Sequence, residues 1–216
     1  MQSFLFFPSR TLMTDASGVP SASATVNYYG NETSNLTVIP FNFDFIGEIA
    51  TNFNGLTLNK TISNYLSSVP TWGWPVWVSG SEDKSRLASR IGVSMIDAVA
   101  MIQILLPGTP SIYYGEEIGM EDLASLKTNG SCQTSDANCD VSRTPMQWNS
   151  EPNAGFSSAN ETWLPVGTQV TVEKGRNSAG HLKVYKKLLA LRKEKSLMHG
   201  VTGFPLVDED IFSFTR

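Results

Sequence analysis

Three stretches of this chain end in carboxylates. Asp15 follows Arg10-Thr-Leu-Met-Thr14, Glu82 and Asp83 follow Pro75-Val-Trp-Val-Ser79 and Gly80-Ser81, and Glu116 and Glu117 follow Ser111-Ile-Tyr-Tyr-Gly115. Two carboxyl groups that converge across a pocket are the equipment of glycosidic bond cleavage: one protonates the leaving oxygen and the other attacks or stabilises the sugar cation. Acids at such positions also cap helices, and both readings stand at this point. Arg86 lies just beyond Asp83, and the run Arg143-Thr-Pro-Met-Gln-Trp148 brings a cation, an amide and an indole together one loop after the third acid pair. Aromatic faces suit sugar rings, but Trp is also ordinary core material.

The elements that must carry these residues are legible in the apolar pattern. Short extended runs, Thr11–Thr14, Val38–Phe43, Pro75–Ser79 and Ser111–Tyr114, alternate with helical patterns over Lys60–Leu66, Ser85–Leu106 and Gly180–Met198. Leu87, Ile91, Met95, Val99 and Ile102 recur at three and four residues, which predicts one long helix over Ser85–Leu106. Alternation of strand and helix implies parallel strands and an α/β class, in which function sits where strands end. Residues 121–171 are rich in Ser, Asn, Gly and Pro and read as a long excursion. Asp210–Thr215 alternates like the opening strand of another unit.

Composition removes several function classes. Sixteen Lys and Arg against twenty Asp and Glu leave a net charge of −4, unsuited to nucleic acid or to an anionic membrane surface. The basic cluster Lys183, Lys186, Lys187, Arg192, Lys193 and Lys195 reads as a solvated helix flank. Two cysteines, Cys132 and Cys139, and two histidines, His181 and His199, have no metal-ligand spacing, so no metal and no cofactor is expected. The cysteines form a local disulfide if the protein is secreted and are free thiols otherwise. Glycosylation sequons at Asn31, Asn35, Asn59, Asn129 and Asn160 favour an extracellular setting. Met1–Pro8 is too short for a signal peptide, and no apolar run reaches the ~18 residues of a membrane span.

Two stretches carry a resemblance. Gly108-Thr-Pro-Ser-Ile-Tyr-Tyr-Gly-Glu-Glu-Ile-Gly-Met120 followed by Arg143-Thr-Pro-Met-Gln-Trp148 closely resembles the family-13 glycoside hydrolases, in particular the animal maltase (α-glucosidase) branch. Asn153-Ala-Gly-Phe-Ser157 and Thr162-Trp-Leu-Pro-Val166 resemble the family's loop before the last barrel helix. The resemblance implies a partial (β/α)8 TIM barrel. Residues 1–200 would supply strands five to eight, and 201–216 would open a C-terminal β domain. In that register Asp15 stands at the general-acid position and Asp83 at the transition-state-stabiliser position. Glu82, Arg86, Glu117 and Arg143 stand as substrate-binding candidates, the last two as lining rather than reacting groups.

The departures matter as much. The family motif Met-Thr-Glu-Ala reads Met13-Thr-Asp-Ala16 here, so the acid is one methylene shorter. The Asn-His pair before the third acid has become Ser81-Glu82, which replaces the imidazole N–H that the family donates to a sugar hydroxyl by a carboxylate that only accepts, and sets a second carboxyl beside Asp83. The nucleophile motif is absent from these 216 residues. The expectation is a piece of an α-glucosidase-like chain that is inactive alone, its ancestral substrate an α-glucoside such as maltose or sucrose. Open strand edges make pairing with another half-barrel an expectation too. The alternative is a non-catalytic homologue, such as the heavy subunit of a heteromeric amino-acid transporter or a binding ectodomain. In either case the full-length relative would be secreted or on the outer face of a membrane.

Overall fold

The computed structural model describes residues 12–15, 25–31, 34–35, 38–49, 53–126, 139–167, 171–172 and 180–216. Strand β1 (Leu12–Thr14) pairs in parallel with β4 (Val38–Pro40), Leu12 opposite Val38 and Thr14 opposite Pro40. Between them β2 (Gly30–Asn31) and β3 (Ser34–Asn35) form a short antiparallel ladder. Strand β5 (Val76–Val78) pairs in parallel with β6 (Thr109–Ser111), Trp77 opposite Pro110. Parallel strands linked through helices are the expected α/β pattern.

Among the described residues the parallel strands form two ladders. Side chains take up backbone groups of β5. The Val76 N–H donates to the Tyr65 hydroxyl at 3.0 Å, and the Trp77 carbonyl accepts from Gln103 Nε2 at 3.0 Å. The Tyr65 hydroxyl lies 3.4 Å from that of Tyr29, which donates to the Trp74 carbonyl at 2.7 Å. Burial drives both phenol pKa values well above the ordinary range.

Helix α1 spans Asp44–Glu48 and α2 spans Gly55–Ser68, longer than the predicted Lys60–Leu66. Asn54 starts α2 with a reciprocal cap: its side chain accepts from the Thr57 N–H at 2.9 Å, and Thr57 Oγ1 accepts from the Asn54 N–H at 3.0 Å. The predicted helix Ser85–Leu106 is divided into α3 (Leu87–Ile91) and α4 (Ile96–Leu105). Gly92 at φ +81° and ψ 147° ends α3, and a 3-10 turn over Val93–Met95 re-aims the chain. The apolar stripe resumes beyond the break because both pieces face one core, but Met95, predicted on that stripe, sits in the turn and is 39% exposed.

The strand predicted over Ser111–Tyr114 lies earlier. Gly108, at φ +110°, approaches β5 so closely that a Cβ would stand 2.3 Å from the Pro75 carbonyl oxygen. Pairing therefore begins at Thr109, whose N–H donates to that carbonyl at 2.8 Å. By Tyr113 the chain is already turning, its carbonyl accepting from the Glu116 N–H at 3.2 Å.

The predicted helix Gly180–Met198 is likewise α5 (His181–Leu191) and α6 (Lys195–His199). Arg192, in the gap, is not part of a solvated flank. Its guanidinium donates to the carbonyls of Ile104, Leu106 and Gly108 at the C-terminal end of α4. Arg216 adds a donor to Leu105 at 3.2 Å. Cations there satisfy orphan carbonyls and oppose the helix dipole. Lys183, Lys186, Lys187, Lys193 and Lys195 are exposed as expected.

The main core gathers Phe45 of α1 and Ile49 at its C-terminal end, Leu58, Ile62 and Tyr65 of α2, Trp77 of β5, and Val99 and Ile102 of α4. Trp77 meets Phe45 and Tyr65 edge-on at 5.5 and 5.1 Å. Residues 201–216 fold back as a hairpin with antiparallel bridges Gly203–Thr215 and Val207–Phe212. Phe204, Phe212 and Phe214 of that hairpin pack on the same core.

Candidate functional site

Strand β5 delivers Ser79 and then the turn Gly80-Ser81-Glu82-Asp83, and β6 delivers Tyr113 to Glu117 beside it. Asp83 is held from the excursion. Arg143 Nη2 meets Asp83 Oδ1 at 2.9 Å, Arg143 Nε donates to the Glu82 carbonyl at 3.0 Å, and the Ser142 hydroxyl donates to the same carbonyl at 3.3 Å. Asp140 stands 3.9 Å from Arg143 Nη1. The Glu82 and Asp83 side chains face solvent. Asp15 is exposed at the end of β1.

Arg86 is 2% exposed. Its Nη1 donates to the Tyr114 carbonyl at 2.6 Å, and its guanidinium lies 5.2 and 4.6 Å from the ring centres of Tyr113 and Tyr114. Its own N–H is fixed by Asp122 Oδ1 at 2.8 Å, and the Ser85 hydroxyl donates to Oδ2 of the same carboxylate. Arg86 is thus a post behind the tyrosines. Tyr114 in turn donates from its hydroxyl to the Thr144 carbonyl at 2.6 Å, which binds the excursion to β6.

Glu117 accepts from the Gly115 N–H at 2.9 Å and lines a cavity of about 480 Å³ together with Arg143, Tyr114, Trp148, Phe156 and Trp163. Asn153 and Ala154, just before Phe156, take left-handed backbone at φ 53° and 52°. This lets the Ala154 carbonyl accept from the N–H groups of both Trp148 and Asn149, at 2.9 and 3.2 Å. The structure therefore brings Asp83, Glu82, Arg143 and Glu117 into one neighbourhood, with Arg86 supporting it.

Glu116 was not singled out from Glu117 by sequence, yet it is the more perturbed of the two. Its Oε1 is closed off from solvent, while Oε2 lies 2.9 Å from the Ser79 hydroxyl and accepts from the Tyr113 N–H at 3.3 Å. Burial pushes its carboxyl up to about 7, and the Glu117 charge adds to this. The Ser79 and Tyr113 hydrogen bonds and the Arg90 charge pull the other way. A proton count agrees. Ser79 has one hydroxyl proton but two acceptors in reach, Glu116 Oε2 and Gln103 Oε1, the latter at 3.0 Å. Gln103 spends its Nε2 on the Trp77 and Ser111 carbonyls, so its oxygen needs a donor. A protonated Glu116 donating to Ser79, which donates to Gln103, satisfies the chain. Burial lowers the pKa of Arg90, which ties the Ser79 carbonyl to those of Ile46 and Ile49. Gly80 completes the packing, since a Cβ there would stand 2.2 Å from Glu116 Oε1. The pattern of small residues, Ser79-Gly80-Ser81, was the available sign of this close approach.

Among the sequons, Asn160 is exposed in a loop, and Asn59 lies within α2 with its Oδ1 accepting from the Ser63 hydroxyl at 3.3 Å. The side chains of Asn31, Asn35 and Cys139, and all of Asn129 and Cys132, lie outside the described residues. No group of acids, histidines and cysteines arranged to hold a metal occurs among the described residues. None of the described helices is long and apolar enough to cross a membrane.

Acids where parallel strands end, beside an excursion clamped on them by an arginine, are the arrangement of an α/β domain whose site lies at its strand ends. Residues 2–200 match the alpha-amylase family (alpha amylase, catalytic domain), and the chain belongs to that family. It is 34% identical over 220 residues to Maltase A1 of Drosophila melanogaster, covering 96% of this chain and 38% of that protein. It is 36% identical over 183 residues to the amino acid transporter heavy chain SLC3A1 of Rattus norvegicus, covering 82% of this chain and 26% of that one. The crystal structure of Bacillus licheniformis trehalose-6-phosphate hydrolase (TreA) superposes with a TM-score of 0.71 at 26% identity, covering 90% of this chain and 42% of the other. The chain thus spans well under half the length of each of these relatives.

Proposed function

We propose that the chain carries part of an α-glucoside site and that the reaction of the whole protein is retaining hydrolysis of terminal α-linked glucose, from maltose or sucrose. The observation that supports this most is the clamp of Arg143 on Asp83 and on the Glu82 carbonyl, beside a cavity that Glu117 also lines. Asp83 holds the position that stabilises the sugar cation, Arg143 fixes its carboxylate, and Asp15 holds the general-acid position. Glu82, exposed beside Asp83, is the further substrate-binding candidate, while the buried Arg86 acts behind it by holding Tyr113 and Tyr114. In this register β1, β4, β5 and β6 are barrel strands five to eight. Residues 1–200, with the excursion 121–171, belong to the barrel, and 201–216 open a C-terminal β domain. The whole protein is extracellular, with Asn160 as the best-exposed glycosylation acceptor and Cys132–Cys139 as a local disulfide.

The 216 residues do not hydrolyse glucosides alone. A nucleophile motif is absent, and a general acid drawn back by one methylene misses hydrogen-bond reach of the leaving oxygen. A misplacement of about 1 Å costs on the order of a hundredfold in rate. The purified chain is expected to bind maltose in a calorimetric titration, to bind it at least tenfold more weakly as Asp83→Ala, and to release no glucose. Glucose release that Asp83→Ala abolishes would overturn the inactivity. A second reading, a non-catalytic homologue of the transporter heavy-chain kind, is favoured by Ser81-Glu82 and Asp15 at positions where the family carries Asn-His and Glu. Absence of any maltose binding would select it.

A further inference from the structure

Glu116 stands beneath the turn that carries Asp83, and that turn is fixed at both ends. At its tip Arg143 holds the Asp83 carboxylate and the Glu82 carbonyl. At its root the Ser79 hydroxyl lies 2.9 Å from Glu116 Oε2, and Glu116 Oε1 fills the space that a Cβ on Gly80 would need. Within the turn the Asp83 N–H reaches Ser81 Oγ and the Lys84 N–H reaches the Ser81 carbonyl, both at a long 3.4 Å, so the anchors set its course. The root depends on one proton. A neutral Glu116 donates to Ser79, which donates to Gln103, and both links are made. An ionised Glu116, its proton lost to solvent, can only accept. Ser79 then has one proton for two acceptors, Glu116 Oε2 and Gln103 Oε1, and one of them goes without. Oε1, buried and without a partner, becomes charged with no donor bound to it, which is costly. The charged and titratable groups that face Glu116 do not repair this. Arg90 of α3 spends its N–H groups on the carbonyls of Ser85, Ile46, Ile49 and Ser79. Glu117, in the same turn, adds like charge, and Tyr185 of α5 stays neutral because burial drives its phenol pKa well above the ordinary range. Relief comes from water or from a backbone N–H of the turn, and either requires Gly80 to move off Oε1.

We propose that Glu116 is a positioning residue for Asp83: neutral, it seats Ser79 and Gly80 so that the turn presents Asp83 beside Arg143; ionised, it unseats the turn and weakens α-glucoside binding there. The effect on the sugar rests on the α-glucoside reading, whereas the movement of the turn does not. Glu116 touches no substrate in this arrangement and acts only through the backbone that leads to Asp83.

The test has two readouts on the full chain between about pH 5 and 9, either side of the Glu116 pKa of about 7. The first is the NMR amide resonances of Gly80 to Asp83, followed together with the Glu116 side-chain carboxyl carbon. The resonances of the turn are expected to shift with the midpoint of that carboxyl, and to lose this transition in Glu116→Gln, which cannot ionise. The second is calorimetric titration with maltose. Its Kd is expected to rise about tenfold from low to high pH in the parent, the order of one lost hydrogen bond to a charged group, and to be independent of pH in Glu116→Gln. Should Glu116→Gln fail to fold by circular dichroism, Ser79→Ala takes its place. Without the Ser79 donor the ionised form loses its charge-assisted hydrogen bond, and the shared midpoint is expected to rise. A midpoint left where it was overturns the proposal. So do turn resonances that ignore the Glu116 titration, or that titrate equally in Glu116→Gln. If maltose binds with an affinity that does not change with pH, the positioning role is wrong and the glucoside reading survives. If the turn follows Glu116 and maltose does not bind at any pH, the coupling of Glu116 to the turn stands and the sugar reading falls.

Discussion

Glu116 shows how much of a site can turn on one proton. Its pKa in the folded chain, about 7, lies above the ordinary 4.5, so folding favours the protonated form. Stability from this group is therefore fully present below about pH 4.5, declines as pH rises toward 7, and is flat above that. The difference corresponds to on the order of 3 kcal/mol. Glu116→Gln cannot ionise and still offers a donor to Ser79. It is expected to be more stable than the parent at pH 8 and to lose that advantage at pH 4, read as urea midpoints across the range. A gain that stays constant from pH 5 to 8 would refute the protonated network. Arg143 and Asp83 could be named as candidates because each stands in a distinctive local run. Their pairing across 60 residues is a property of the folded excursion. Glu116 was hidden for a related reason: its neighbours Ser79, Gln103 and Arg90 come from β5, α4 and α3, and nothing local distinguishes it from Glu117.

At the level of elements, the alternation of strands and helices was legible and the breaks inside helices were not. Apolar periodicity reports which face is buried, and α3 and α4 bury the same face through Leu87, Ala88, Ile96, Val99 and Ile102. The interruption is written only in Gly92, which periodicity ignores. A backbone at φ +81° and ψ 147° is open to glycine and strained for other residues. Gly92→Ala meets no atoms within 4 Å, so any cost is conformational and is expected to be about 1–3 kcal/mol. Gly47→Ala provides the contrast. It lies within α1, has equally open surroundings and no positive φ, and is expected to be neutral or to stabilise by up to about 1 kcal/mol. Equal urea midpoints for the two variants would mean that the chain passes from α3 to α4 without needing this conformation. Arg192 teaches the same lesson for α5 and α6: a basic run looks solvated in sequence, but one of its members leaves the helix to cap α4.

For the whole molecule, the α/β class and barrel kinship followed from alternation and motifs, whereas the pairing of strands did not, because it depends on which side chains take up backbone groups. Strand β1 is where this has consequences. It pairs with β4 on one side, yet Leu12 is 62% exposed and Met13 40%. A three-residue strand with two exposed apolar side chains is a template for another chain or for apolar surface elsewhere. Elsewhere Met101, Trp72 and Trp74 are also at least 39% exposed, so apolar surface is not confined to one strand. The 216-residue chain is accordingly expected to self-associate, with the β1 face buried in the contact, as a partner half-barrel would bury it. Sedimentation velocity should show dimers or larger species at micromolar concentration, shifting toward monomer in a Leu12→Lys, Met13→Glu double variant. Both side chains already face solvent, so the substitutions remove no core contact and the shift reports the interface. A parent that sediments as a monomer would show that the exposed face of β1 is tolerated by water. A parent whose association is untouched by the double variant would move the contact to another apolar surface.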